Sequence, residues 1–159
     1  MKENYLNPIL STISQVLAKI FHQEVIRGEV LTKQNNLAFG EISSVVTLEG
    51  EGGSGSIAVS FPFEVIMKIA EIMLPRKAPK DGKIIQDLSG EIGEMFGGLV
   101  KSDLDKMGIK LNVSKTAVYA GQPHYLSHAV QKPVTFVPFS ADVGIIFVEL
   151  CFGGLKASK

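Results

Sequence analysis

Asp87, Glu91 and Glu94 stand four and three residues apart, the spacing that projects side chains from one face of a helix. Three carboxylates held together in this way can bind a cationic partner group, or supply oxygen ligands to a hard cation such as magnesium or calcium. The spacing alone equally describes a solvated helix surface whose early negative charge favours the helix N-terminus. Other residues with chemical potential read as structural. His124 and His128 are bounded by Pro123 and Pro133, so the segment is a loop or irregular strand and the four-residue spacing does not bring the rings together. His22 follows the first helix, where an imidazole interacts favourably with the C-terminus. Cys151 is the only cysteine, which excludes an intrachain disulfide or a cysteine metal cluster, and its apolar surroundings predict buried packing. The glycine-rich Glu51 to Ser56 lacks the Gly-Lys-Ser/Thr ending of a phosphate loop and precedes a strand, so it reads as a hairpin connection.

The elements that must position these residues follow from periodicity. Leu6, Ile9, Leu10, Ile13, Val16, Leu17 and Ile20 recur at helical spacing between Tyr5 and Phe21, predicting an amphipathic helix with Asn7 as its cap and Pro8 in its first turn. Strands are expected at Glu24 to Lys33, Phe39 to Leu48 and Gly55 to Phe61, the last two joined across Glu49 to Ser54. A short helix opens at Pro62 and stops before Pro75, and a basic linker spans Arg76 to Lys80. The longest helical pattern runs from Lys83 to Met107, with Ile85, Leu88, Ile92, Met95, Leu99 and Leu104 on the side opposite the carboxylates. Strands at Ile109 to Tyr119, Val134 to Ser140 and Val143 to Phe152 complete the order α-βββ-αα-βββ, with a hairpin across Ala141-Asp142. The fold class is α+β, a largely antiparallel sheet with helices packed on it. Residues 1–152 form a single domain and 153–159 a flexible tail.

Gly90, Gly93, Gly97 and Gly98 interrupt the long helix, and each costs about 1 kcal/mol of helix propensity relative to alanine. Small residues at successive turns let another backbone approach closely, either inside the fold or from a docked partner. Sixteen basic residues balance sixteen acidic ones, which argues against binding to nucleic acid or to an anionic membrane surface. The apolar run from Val143 to Leu150 is far shorter than the roughly 20 residues a transmembrane helix needs. With no secretory signal pattern at Met1 to Pro8, the expected location is the cytoplasm.

The segment Asp87-Leu88-Ser89-Gly90-Glu91-Ile92-Gly93-Glu94-Met95-Phe96-Gly97-Gly98 resembles the signature of the CheX/CheC family of chemotaxis phosphatases, and CheX in particular. In that signature an acid or Ser is followed after three residues by Glu and after two more by Asn. Asp87 and Glu91 match, whereas Glu94 stands at the Asn position. The family pattern also has a Pro a little over twenty residues later, where this chain reads Ser114-Lys115-Thr116-Ala117. The resemblance extends through Tyr5-Leu6-Asn7-Pro8, Val25 to Gly28, Ser60-Phe61-Pro62, Lys101-Ser102 with Leu104, Gly121, His124 and Val137-Pro138-Phe139.

The resemblance implies a CheX/CheC-like fold, a homodimer formed through sheet edges, and a partner that is a CheY-like response regulator. In the family the receiver carries an aspartyl phosphate with a divalent metal that the receiver itself supplies, and the phosphatase needs no cofactor of its own. Carried over, Glu91 contacts a receiver lysine, Asp87 lies near the docking surface, and Glu94 occupies the water-orienting position. An amide both donates and accepts hydrogen bonds, whereas an ionised carboxylate only accepts. The expectation is therefore a docking domain whose phosphatase activity is weak or lost. Two alternatives are an active phosphatase that uses Glu94 as a protonated donor or general base, and a metal-binding carboxylate site of unrelated function.

Overall fold

The computed structural model describes residues 1–77 and 80–158. Part of the expected linker, Ala78 and Pro79, and the last residue of the expected tail, Lys159, lie outside the described residues. Among the described residues there are three helices, α1 (Glu3–Phe21), α2 (Phe63–Met73) and α3 (Gly82–Lys106). The strands are β1 (Ile26–Arg27), β2 (Leu31–Lys33), β3 (Ile42–Gly50), β4 (Gly53–Phe61), β5 (Asn112–Ala120), β6 (Val134–Ala141) and β7 (Gly144–Gly153). They form one sheet in the order β1-β6-β7-β4-β3-β5, with β2 also paired to β6. Every pairing is antiparallel, so the α+β class expected from the sequence is the observed one.

Several boundaries differ from the sequence reading, each for a local reason. Helix α1 starts at Glu3, so Lys2 is the N-cap, and Asn7 and Pro8 lie inside the helix. Pro8 forgoes one backbone bond there, but the extra turn buries Leu6 in the core. The single strand expected at Glu24 to Lys33 is broken into β1 and β2 at Gly28, whose N–H donates to Pro138 O while the proline has no N–H to return the bond, and the register steps from Arg27 opposite Phe139 to Leu31 opposite Phe136. The order is therefore α-ββββ-αα-βββ. The β3–β4 turn is only Glu51-Gly52, since Gly50 already pairs with Gly53, which has a φ of 130° that favours glycine. The β6–β7 turn is Asp142-Val143, one residue later than expected, because Ala141 pairs with Gly144. The segment expected as a flexible tail is held in its described part: Gly153 closes β7, Lys156 N–H donates to Gly52 O, and Ser158 N–H donates to Gly108 O.

The helices cover one face of the sheet. Alternate strand residues, including Val46 and Leu48 of β3, Ile57, Val59 and Phe61 of β4, and Ile146, Val148 and Leu150 of β7, join the buried sides of α1, α2 and α3 in one apolar cluster. The period of two along the strands sends the intervening residues to the outer face, where Val45 and Ala58 form a smaller cluster with Ala38 and Leu126.

Helix α3 seats directly on this sheet through its glycines. A Cβ at Gly90 would lie 3.2 Å from Val118 Cγ2, and one at Gly97 would lie 2.6 Å from Val46 Cγ1. At Gly93 it would fall against Ser44 Oγ, with Ser44 Cβ only 2.9 Å away. Of the five glycines in α3, Gly90, Gly93 and Gly97 thus serve close packing within the chain, while a Cβ at Gly82, in the first turn, or at Gly98 meets nothing within 4 Å among the described residues. Gly93→Ala gains about 1 kcal/mol of helix propensity but overpacks a site bounded by strand β3, at a cost of about 1–3 kcal/mol. The expected net effect is destabilisation by up to about 2 kcal/mol, measurable as a lower urea midpoint with an unchanged m-value.

Candidate functional site

The inner side of α3 is consumed by Ile85, Leu88, Ile92, Phe96, Val100 and Leu104, all in the main core. Asp81 caps the helix, its carboxylate accepting a hydrogen bond of 2.9 Å from Ile84 N–H. This anchoring rotates Asp87, Glu91 and Glu94 together onto the solvent face, as their spacing predicts. Met95, placed with the apolar stripe by sequence, also turns outward and is 38% exposed. The stripe is narrower than expected because Gly90, Gly93 and Gly97 bring the sheet to the helix on the side where larger apolar residues would otherwise stand.

Asp87 has a partner one turn back, Lys83, with Nζ 3.3 Å from Oδ2. Both side chains are exposed, so this pair contributes little stability. Among the described residues, neither Glu91 nor Glu94 forms an ion pair. No group of three His, Cys, Asp or Glu among the described residues is arranged to hold a metal ion. The three carboxylates follow one another along a convex helix rather than converging on a point. That arrangement suits contact with the surface of another macromolecule better than coordination of a cation.

A second polar constellation lies on the outer face of the sheet, and sequence reasoning missed it. Lys33 of β2 donates to Glu149 Oε2 of β7 at 2.6 Å, and His128 Nε2 lies 2.9 Å from the other carboxylate oxygen. The carboxylate can only accept, so Nε2–H donates to it, while Nδ1 lies 2.7 Å from Ser56 Oγ. Ser56 Oγ in turn accepts from Ala129 N–H at 3.1 Å. His124 is bound similarly, with Nε2 2.7 Å from Ser43 Oγ and Nδ1–H donating to Gly121 O at 2.9 Å. Both histidines therefore tie the segment between β5 and β6 across the sheet, consistent with their structural reading. The Ser56–His128–Glu149 order resembles that of a hydrolytic triad, but Ser56 is fully buried and no substrate reaches its hydroxyl. Cys151 lies on the same face, its thiol directed at the carbonyls of Val130 and Lys132 at 3.4 and 3.5 Å. Burial pushes its pKa up and keeps the thiol protonated. A cavity of about 600 Å³ opens beneath this crossing segment, lined by residues such as Asn36, Ser127, His128 and Lys132, and it does not include the α3 carboxylates.

The family model for the chemotaxis phosphatase CheX matches residues 42–140, a span that runs from β3 through α3 into β6. The chain belongs to the CheX family. Solved CheX relatives agree over nearly its whole length. A CheC-like superfamily protein from Shewanella sp. PV-4 is 29% identical with a TM-score of 0.83, covering 97% of this chain and 100% of that one. A CheX from Desulfovibrio desulfuricans is 28% identical with a TM-score of 0.83, covering 94% of this chain and 99% of that one. The CheX of Borrelia burgdorferi, solved in complex with CheY, BeF3 and Mg2+, shares the fold at 22% identity and a TM-score of 0.74, with 93% and 97% coverage. Comparison with curated proteins gives no match.

The clue to the outer constellation was present in the CheX-like sequence: Glu149 is a lone charge inside the apolar run from Val143 to Phe152. Its partners could not be read, because Lys33 and Glu149 are 116 residues apart. Both side chains are buried, so removing one leaves an uncompensated charge. Lys33→Ala is expected to cost about 3–5 kcal/mol of stability, and the paired Lys33→Met/Glu149→Gln variant, whose amide oxygen still accepts from His128 Nε2–H, to recover much of it. Denaturant unfolding of the two variants beside the unaltered protein checks this.

Proposed function

We propose that this CheX-family domain docks on a CheY-like response regulator through the exposed face of α3, with weak or lost aspartyl-phosphate phosphatase activity. The observation that carries the reading is the orientation of α3: Asp87, Glu91 and Glu94, which fall on the family's signature positions, all reach solvent, and Glu91 and Glu94 have no ion-pair partner among the described residues. The relative from Borrelia burgdorferi solved with CheY supports a receiver as the kind of partner.

In the proposed complex Glu91 meets a receiver lysine, Asp87 borders the contact, and the divalent metal at the phosphorylated aspartate belongs to the receiver. Glu94 then sits where an amide would orient the attacking water. Such catalysis is positioning and electrostatics, and both suffer here. A carboxylate cannot donate to the water oxygen, and it brings negative charge towards the anionic phosphoryl group. At about 4 Å and an effective dielectric of about 20, the repulsion is roughly 4 kcal/mol, which corresponds to nearly a thousandfold in rate. The position of the family proline falls in β5, where Thr116 pairs with Val46 and Ala117 with Val45 in an unbroken run of the ladder. The site is thus altered on the strand as well as on the helix. The expected place of action is the cytoplasm, where response regulators reside; among the described residues no helix is long and apolar enough to cross a membrane.

The reading is tested by mixing the protein with a phosphorylated CheY-like receiver and following loss of the phosphoryl group. The expected acceleration over spontaneous hydrolysis is small, and Glu94→Asn is expected to increase it. Acceleration by the unaltered chain equal to that of a family member with the Asn would overturn the proposal.

We further propose that the chain forms a homodimer through a sheet edge. Strand β5 ends the sheet, is nine residues long, and is exposed along most of its length, leaving a row of backbone groups able to pair with another strand. The opposite edge is blunted, since β1 and β2 are short and separated at Gly28. Light scattering at micromolar concentration should give twice the chain mass; a monomer mass would overturn the dimer.

A further inference from the structure

The glycines of α3 do not all have the same reason to be there. Gly90, Gly93 and Gly97 face β3 and β5, where a methyl group would meet Val118, Ser44 and Val46. Gly98 is exposed, and a Cβ built on it meets nothing within 4 Å. Its φ is also not in the left-handed region, so the backbone conformation does not call for glycine. A glycine in an exposed helix interior weakens the helix relative to alanine, and no close contact with the described residues offsets that loss.

Its position narrows the explanation. Gly98 follows Glu94 by four residues and Met95 by three, so it lies on their face of the helix, two turns beyond Glu91. That face combines two carboxylates without an ion-pair partner among the described residues, a thioether that is 38% exposed, and a stretch of bare backbone. Side chains on a convex helix hold a flat partner away from the backbone, except where a residue has none. The carboxylates call for a partner with cationic groups opposite them, and the gap at Gly98 sets how near its surface can come.

We infer that Gly98 is a specificity-determining contact: the docked receiver closes onto the α3 backbone at this residue, one turn beyond Glu94, with Met95 packed beside it. The inference rests on the docking reading proposed above and adds the point of closest approach. It explains why α3 keeps a residue that its own fold disfavours, and it implies that only receivers with a complementary protrusion and cationic groups are accepted.

The experiment compares the unaltered protein with Gly98→Ala and Gly98→Leu. Each is measured for thermal midpoint and for affinity towards a CheY-like receiver, bare and loaded with beryllofluoride and Mg2+. The Ala variant is expected to melt about 2–4 °C higher and yet to bind the receiver about tenfold more weakly, with the Leu variant weakened beyond a hundredfold. A purely local helix effect predicts the same rise in melting temperature with unchanged binding. Binding of both variants within twofold of the unaltered protein would overturn the role of Gly98 and leave the docking reading intact, as would a fall in melting temperature for Gly98→Ala that shows the fold itself needs the glycine. Failure of the unaltered protein to bind either form of the receiver would sink the docking reading, and this inference with it.

Discussion

The close approach of α3 to the sheet governs the rest of the molecule. A helix packed on side chains of ordinary size would stand farther from β3 and β5 and could rotate about its axis to bury whichever stripe was most apolar. Gly90, Gly93 and Gly97 remove that freedom, because Val118, Ser44 and Val46 occupy the space their side chains would need. Interiors pack at crystal-like density, so a contact of this kind determines the helix's rotation as well as its distance. The rotation in turn decides that Asp87, Glu91, Glu94 and Met95 face solvent, and the surface chemistry follows from it.

Each face of the sheet solves a different problem. The helix-covered face is held by apolar burial, non-directional and cumulative. The outer face has few apolar residues buried, and the segment between β5 and β6 is kept on it largely by directed polar bonds: His124 to Ser43, His128 to Ser56 and Glu149, and Glu149 to Lys33. A buried network of this kind tolerates little change, since each member left without its partner pays a desolvation cost. It also explains why a serine, a histidine and a glutamate in hydrogen-bonded sequence do not amount to an active site here: the hydroxyl that would have to meet a substrate is closed off by the strand and segment it joins.

On the reading proposed above, the chemistry of the α3 face turns on Glu94, where the family signature has Asn. The Glu side chain is one methylene longer, and its ionised carboxylate offers water only acceptors and brings negative charge towards phosphate. Docking and catalysis make separate demands on this face, because attraction to a cationic partner is served by any of its carboxylates, whereas orientation of a nucleophile needs a donor and acceptor at a single point. A domain can therefore keep the first property while losing the second, and the absence of an ion-pair partner for Glu91 and Glu94 among the described residues is compatible with that division.

Much of this was legible in the residues alone. The period of the apolar positions located all three helices, β-branched runs located the long strands, and the spacing of Asp87, Glu91 and Glu94 put them on a common face, since these are properties of a few neighbouring residues. The resemblance to the CheX family was likewise carried by local residues, Asp87 and Glu91 among them. Tertiary structure decided what depends on residues far apart in the chain. It broke the first strand at Gly28, opposite a proline that cannot return the ladder bond, extended α1 past Pro8 to bury Leu6, and turned Met95 outward. It joined Lys33 to Glu149, whose pairing no periodicity encodes. It also separated four glycines that look alike in sequence into three that admit the sheet and one that faces solvent, because what a missing side chain makes room for is known only when the neighbouring surface is in place.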